Sequence, residues 1–140
     1  MHPIHQFEIK ATADMVDANG HVNNIACLKW TQDAAIEHAR VSGCTRASMA
    51  IGATWVVRTH HIEYLRPVFA GDTIIVLTWV ADFRKVRSLR KYKLIRAADR
   101  AVVAQAETDW VLVDAGSGRP RAITDEIRNT LPVVGPEDEP

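Results

Sequence analysis

Neither sign of charge prevails in this chain of 140 residues: 17 Lys and Arg are matched by 17 Asp and Glu, for a formal net charge of zero. Without a global field, the bulk electrostatics argue against a nucleic-acid or anionic-membrane partner. Cysteine is scarce as well. Cys27 and Cys44 stand alone, too few for the disulfide framework of a secreted domain. They fall near the two ends of one predicted helix, and at ~1.5 Å of rise per residue that helix holds them too far apart to bond. Reduced thiols in a cytoplasmic protein are the expectation. No apolar run approaches the ~20 residues of a membrane span. The opening Met1-His-Pro-Ile-His-Gln lacks the apolar core of a signal peptide. No internal repeat is present. The length suits one domain with a real core, over residues 1–130. Residues 131–140, ending Gly135-Pro-Glu-Asp-Glu-Pro, are expected to form a mobile acidic tail.

Patterning gives an order of elements. Residues 5–11 alternate polar and apolar, as a half-buried strand does. From Asn24 to Ser42 the repeat becomes helical, with Ile25, Leu28, Gln32, Ala35, Ile36 and Ala39 at three-to-four spacing as its stripe, and Gly43 stops it. Asn23 or Asn24 would cap the start. Strands follow over residues 53–65, 73–83, 88–98 and 101–114, rich in β-branched and aromatic side chains. Thr124-Asp-Glu-Ile opens a short terminal helix with an acidic first turn. Consecutive long strands favour a meander. The expected fold is α+β: one long helix packed on a five- or six-stranded antiparallel sheet. One helix cannot cover a wide sheet, so a homodimer or homotetramer is expected.

Between the first strand and the helix lies Asp17-Ala-Asn-Gly-His-Val-Asn-Asn24. A helix start carries unpaired N–H groups and a positive dipole end, which can stabilise an oxyanion while a nearby carboxylate acts. This loop, followed by Glu63-Tyr64-Leu65-Arg66-Pro67, Gly71-Asp72 and the late strand Glu107-Thr-Asp-Trp-Val-Leu-Val-Asp114, resembles the hotdog-fold thioesterases of the 4-hydroxybenzoyl-CoA and acyl-CoA group. The likeness runs to about residue 130, and Asp17-x-Asn19-x-His21 is also similar to the loop of plant-type acyl-carrier-protein thioesterases. The resemblance implies hydrolysis of an acyl-CoA thioester without metal or other cofactor. Asp17 would be the nucleophile or the general base on water, and the backbone N–H near Asn24 would polarise the carbonyl. Many relatives carry an aromatic residue before the acid or in the first helical turn. Here those stretches read Ala13-Asp14-Met15-Val16 and Ile25-Ala26-Cys27.

Each residue has a plainer reading beside the chemical one. Asp-Ala-Asn-Gly suits a simple turn; the register before a helix favours a catalytic Asp17. His21 could move a proton or only brace the loop. Asn19 could orient the carboxylate or tolerate left-handed backbone. Gly20 admits close approach of substrate or a positive φ, and Asn23 holds the helix start. Cys27 reads as a small packing residue, and Glu37 as a solvated one. His60 and His61 point to opposite sheet faces, against a shared metal. The densest charge runs from Arg84 to Lys93, and Arg84, Lys85, Arg87 and Arg90 are expected to meet the phosphates of CoA. So short a run in a neutral chain argues against nucleic acid. Three other readings stay open: a non-catalytic acyl-CoA-binding hotdog module, an acyl-carrier-protein thioesterase, and a hotdog dehydratase.

Overall fold

The computed structural model describes residues 2–140. Its strands are β1 (His5–Lys10), β2 (Ala53–Tyr64), β3 (Thr73–Phe83), β4 (Arg87–Arg96) and β5 (Val102–Asp114). Its helices are α1 (Asn24–Ser42), α2 (Cys44–Ala50) and a single turn, α3 (Asp125–Arg128). All five strands form one antiparallel sheet, in the order β1-β3-β4-β5-β2. The sheet curls around α1, the α+β hotdog architecture. β3, β4 and β5 make the expected meander, but β2 does not join it beside β3. It pairs with β5 over the register Ala53↔Asp114 to Tyr64↔Ala104, at the far edge. The link over residues 65–72 therefore crosses the end of the sheet, tied down by Leu65 N–H to Val103 O at 2.9 Å. Sequence neighbours are only the default partners.

α1 begins and ends where local chemistry puts it. Asn23 caps it, its Oδ1 accepting from Ala26 N–H at 2.8 Å. Gly43 ends it with φ +92°, a conformation that a Cβ would strain. The helix has its predicted bounds, but the chain resumes at once as α2, a second helix absent from the expected order of elements, with Gly43 as the joint. Of the predicted stripe, only Ala35 lies on the fully buried face of α1. Cys27, Trp30, Thr31, Ala34, Ala35 and His38 face the sheet, while Ile25 and Ile36 are 77% and 59% exposed. A concave sheet admits small side chains at close approach, and Trp30 fills the one deep space among Ile74, Val76, Tyr92 and Leu94.

Along β4, Ser88, Arg90, Tyr92 and Leu94 are buried on the α1 side. A second core gathers Cys44, Ala53, Val80, Leu112, Ile123, Ile127 and Leu131 beneath α2 and α3. The expectation of a free tail after residue 130 is corrected here. Leu131 and Val134 are buried, and Val134 N–H donates to Val80 O at 2.9 Å. Glu139 accepts from Trp79 Nε1 at 3.2 Å and pairs with Lys91 at 2.9 Å. One leucine, one valine and one carboxylate dock the segment on the sheet despite its acidic composition. Both cysteines are free and buried.

Candidate active site

The loop between β1 and α1 is a tight, pinned hairpin. Val16 and Val22 bridge, Asp17 N–H donates to His21 O at 2.9 Å, and Gly20 N–H donates to Asp17 O at 3.0 Å. Gly20 sits at φ +80°, and a Cβ there would meet nothing within 4 Å. Its role is therefore backbone conformation, not close approach by protein atoms. Outside the turn, Val22 N–H donates to Val68 O at 2.7 Å and Asn23 N–H to Met15 O at 2.8 Å. Asn23 Nδ2 reaches the same Met15 carbonyl at 3.0 Å. One asparagine thus joins both ends of the loop to the helix it caps.

Asp17 is exposed, and its Oδ1 accepts the N–H of Asn19 at 2.9 Å. Its other oxygen has no hydrogen-bond donor among the described residues. The first two amides of α1, Asn24 and Ile25, are likewise unbonded among the described residues, because the cap serves Ala26. A carboxylate oxygen and two free N–H groups at a positive helix end are thus held on one continuous, doubly anchored piece of backbone. Asn19 contributes its backbone N–H; no hydrogen bond of its side chain is formed among the described residues. The His21 ring meets Phe69 edge to face, centroids 5.5 Å apart, and makes no hydrogen bond to Asp17. An acid–imidazole pair is not formed.

Tyr64 was visible in the sequence only as part of a strand ending. The antiparallel β2–β5 pairing delivers it to the helix start, where its Oη donates to Asn24 O at 3.0 Å. Burial raises the Tyr64 phenol above its ordinary value, and nearby Cys27 adds to this. It stays protonated, a donor. Tyr64 thus brings an aromatic side chain to the helix start, and Phe69 packs against His21 in the loop. Burial pushes the Cys27 thiol up to about 11, which removes it as a nucleophile.

The basic run divides. Arg84 and Lys85 are exposed in the β3–β4 turn, with Arg84 3.4 Å from Asp82. Arg87 is answered by Asp109 at 3.1 Å. Arg90 is corrected outright. It is 5% exposed, under α1, with Nη1 2.9 Å from His38 Nδ1 and 3.1 Å from Thr78 Oγ1. Period-two alternation turns it inward with Ser88, Tyr92 and Leu94, away from the exposed turn that carries Arg84 and Lys85. The β3–β4 turn also lies at the opposite end of β3 from the Asp17 loop, whose neighbour is Asp72 through Ala11 N–H at 2.8 Å. His60 faces α1 and meets Thr108 Oγ1 at 2.7 Å, while exposed His61 lies 3.8 Å from Glu63. Among the described residues no cluster of three metal-ligating side chains occurs, and no helix is long and apolar enough to cross a membrane.

Asn23→Ala is expected to cost about 1 kcal/mol of stability through the lost cap and to lower kcat more than it raises KM, since it frees the donor end of the site. Thermal melting and steady-state kinetics on the same variant check both.

The thioesterase-like superfamily model matches residues 11–131. The chain is 25% identical over 140 residues to oleoyl-acyl carrier protein thioesterase 2, chloroplastic, of Arabidopsis thaliana, covering 95% of this chain and 38% of the relative. It therefore spans little more than a third of that relative. With the long-chain acyl-CoA thioesterase FadM of Escherichia coli it shares 23% identity over 126 residues, covering 90% of this chain and 96% of FadM. In fold it matches Slr0204, a 1,4-dihydroxy-2-naphthoyl-CoA thioesterase from Synechocystis, with a TM-score of 0.81 at 15% identity, covering 91% and 95% of the two chains. With a family match over nearly its whole length, a free carboxylate on the helix-start loop and a hotdog sheet around that helix, the chain belongs to the thioesterase-like superfamily.

Proposed function

We propose that the protein hydrolyses acyl-CoA thioesters to a free acid and CoA, with Asp17 and the first amides of α1 as its reacting groups. The observation that carries this is the juxtaposition on one pinned loop of an unengaged carboxylate oxygen and unbonded helix-start N–H groups. Water bound to Asp17 gives it a proton as the water oxygen attacks the thioester carbonyl. The oxyanion is met by the N–H of Asn24 or Ile25. On collapse the C–S bond breaks and Asp17 returns the proton to the thiolate. Direct attack by Asp17 would pass through an acyl anhydride, which water then cleaves. His21 is placed to wall the site with Phe69 rather than to relay this proton. CoA is favoured over an acyl carrier protein because the match to FadM spans nearly all of both chains, whereas the carrier-protein relative is matched over 38% of its length.

The working unit in this reading is a homodimer joined through β2. That strand runs 12 residues along a sheet edge with one side of its backbone unpaired. Val56 and Val57 are 43% and 38% exposed on it, and Ile25, Ile36 and Met49 are exposed along the adjoining helices. Antiparallel pairing of two β2 edges about a two-fold axis would continue the sheet and cover these side chains. It would also bring the partner's β3–β4 turn, with Arg84 and Lys85, to the end of the sheet where Asp17 lies. That resolves the distance between carboxylate and phosphate receptors within one chain.

Thiol release from a panel of acyl-CoAs tests the reaction; no release from any of them, with CoA binding kept, would make the protein a binding module. Light scattering at micromolar concentration is expected to give about twice the 15.6 kDa of one chain. A species of one chain's mass alone would overturn the composite site.

A further inference from the structure

We propose that the cleft between α1, α2 and the start of β2 seats a ligand with an apolar body and a terminal carboxylate directed at Arg90, which on the thioesterase reading makes ω-carboxyacyl thioesters the preferred substrates. The cleft holds about 290 Å³, the small end of ligand pockets. Ala35, Ile36, Met49, Trp55 and Val80 make it largely apolar, and no Asp or Glu lines it. Among the described residues Arg90 is the one charge on its wall.

That charge is unanswered. Arginine stays protonated at every physiological pH, and burying it without a carboxylate is costly. Arg90 has no ion-pair partner among the described residues. Its Nη1 spends its donors on His38 and Thr78, and burial, with Arg90 and His5 beside it, takes His38 down to about 3, so that ring is neutral. No protein acceptor serves Nε or Nη2 among the described residues. Trp110, also on the cleft wall, turns its buried Nε1 toward the Tyr92 hydroxyl. The guanidinium edge of Nε and Nη2 matches the charge and the two oxygens of a carboxylate. A phosphate dianion would remain half compensated, and a plain alkyl end would leave every one of these donors unpaired.

The direction of entry fits. The exposed mouth at Met49 and Thr54 lies at the start of β2, the end that antiparallel pairing of two copies places beside the other copy's helix start. A thioester held there would send its far end inward to Arg90.

Two matched pairs test the proposal on the intact protein. Calorimetry compares the unreactive thioethers S-carboxypentyl-CoA and S-hexyl-CoA, and kinetics compares hexanedioyl-CoA with hexanoyl-CoA. The carboxylated member is expected to win by at least about 10-fold in each pair. Arg90→Met should abolish or reverse that preference while hexanoyl-CoA turnover persists. Arg90→Lys, which keeps the charge but loses the two-donor edge, should reduce the preference in part should Arg90→Met not fold. Equal affinity for the two thioethers overturns the assignment and leaves thioester hydrolysis standing. A kept thioether preference with no turnover of any thioester supports the cleft and sinks the hydrolase reading instead. Free hexanoate binding as tightly as S-carboxypentyl-CoA, and lost in Arg90→Met, would assign Arg90 to a free acid and overturn the substrate class.

Discussion

Asp17→Asn is expected to lower kcat for acyl-CoA hydrolysis by about 10³-fold or more, with little change in KM and no change in the melting temperature. The variant isolates the chemistry, because an asparagine oxygen can still accept the Asn19 N–H that closes the turn at 2.9 Å. The pinned backbone from Met15 to Val22 does not depend on the charge. What disappears is a group able to attack a carbonyl or take a proton from water, and general-base catalysis alone is worth ~10²–10⁴. A loss below about 10-fold would transfer the reaction to another group. Loss of activity together with a fallen melting temperature would indicate a structural Asp17.

Acidification is expected to destabilise the fold well above the pH at which carboxylates titrate. His38 is 2% exposed, stacked on His5 at 4.9 Å and 2.9 Å from the Arg90 guanidinium, with Glu37 held by His5 at 2.7 Å. Burial first, then Arg90 and His5, lowers it from 6.5 to about 3. The unfolded chain therefore binds a proton that the native one refuses. Stability from this residue is complete above about pH 6.5 and is lost as pH falls from there toward 3. One proton amounts to at most about 1.4 kcal/mol per pH unit, a few kcal/mol over the window. His60, lowered by burial and by His61, adds in the same direction. Urea unfolding of wild type at pH 7.5 and 4.5 should show the fall, and His38→Gln should flatten it. An unchanged slope in the variant would assign the acid response elsewhere.

The ends of α1 were legible because each depends on one residue and its nearest neighbours: Asn23 with Ala26, and Gly43 with its positive φ. Strand limits were readable for the same reason. The buried face of α1 was not. Apolarity marks Ile25 and Ile36, but depth in a curled sheet selects for size, and Ala34 and Ala35 are the residues that go in. The displacement of β2 to the far edge is a long-range choice that no short pattern encodes, and it hid the arrival of Tyr64 at the helix start. In the site, the Asp17 turn and the Asn23 cap were accessible from spacing. Arg90 was misplaced because a charge run reads as exposed unless it is separated into alternate faces, and the period from Ser88 to Leu94 carried that signal.

The seat of α1 on Ala34 and Ala35, 0% and 3% exposed, also limits how this enzyme could be re-engineered. A larger side chain there would lift the helix off the sheet and strain the Asn23–Met15 and Val22–Val68 hydrogen bonds that set the Asp17 loop against the first amides. Substrate scope is better altered from the rim, at Ile36 or Met49. Side chains can grow or shrink there without disturbing the register between carboxylate and amide.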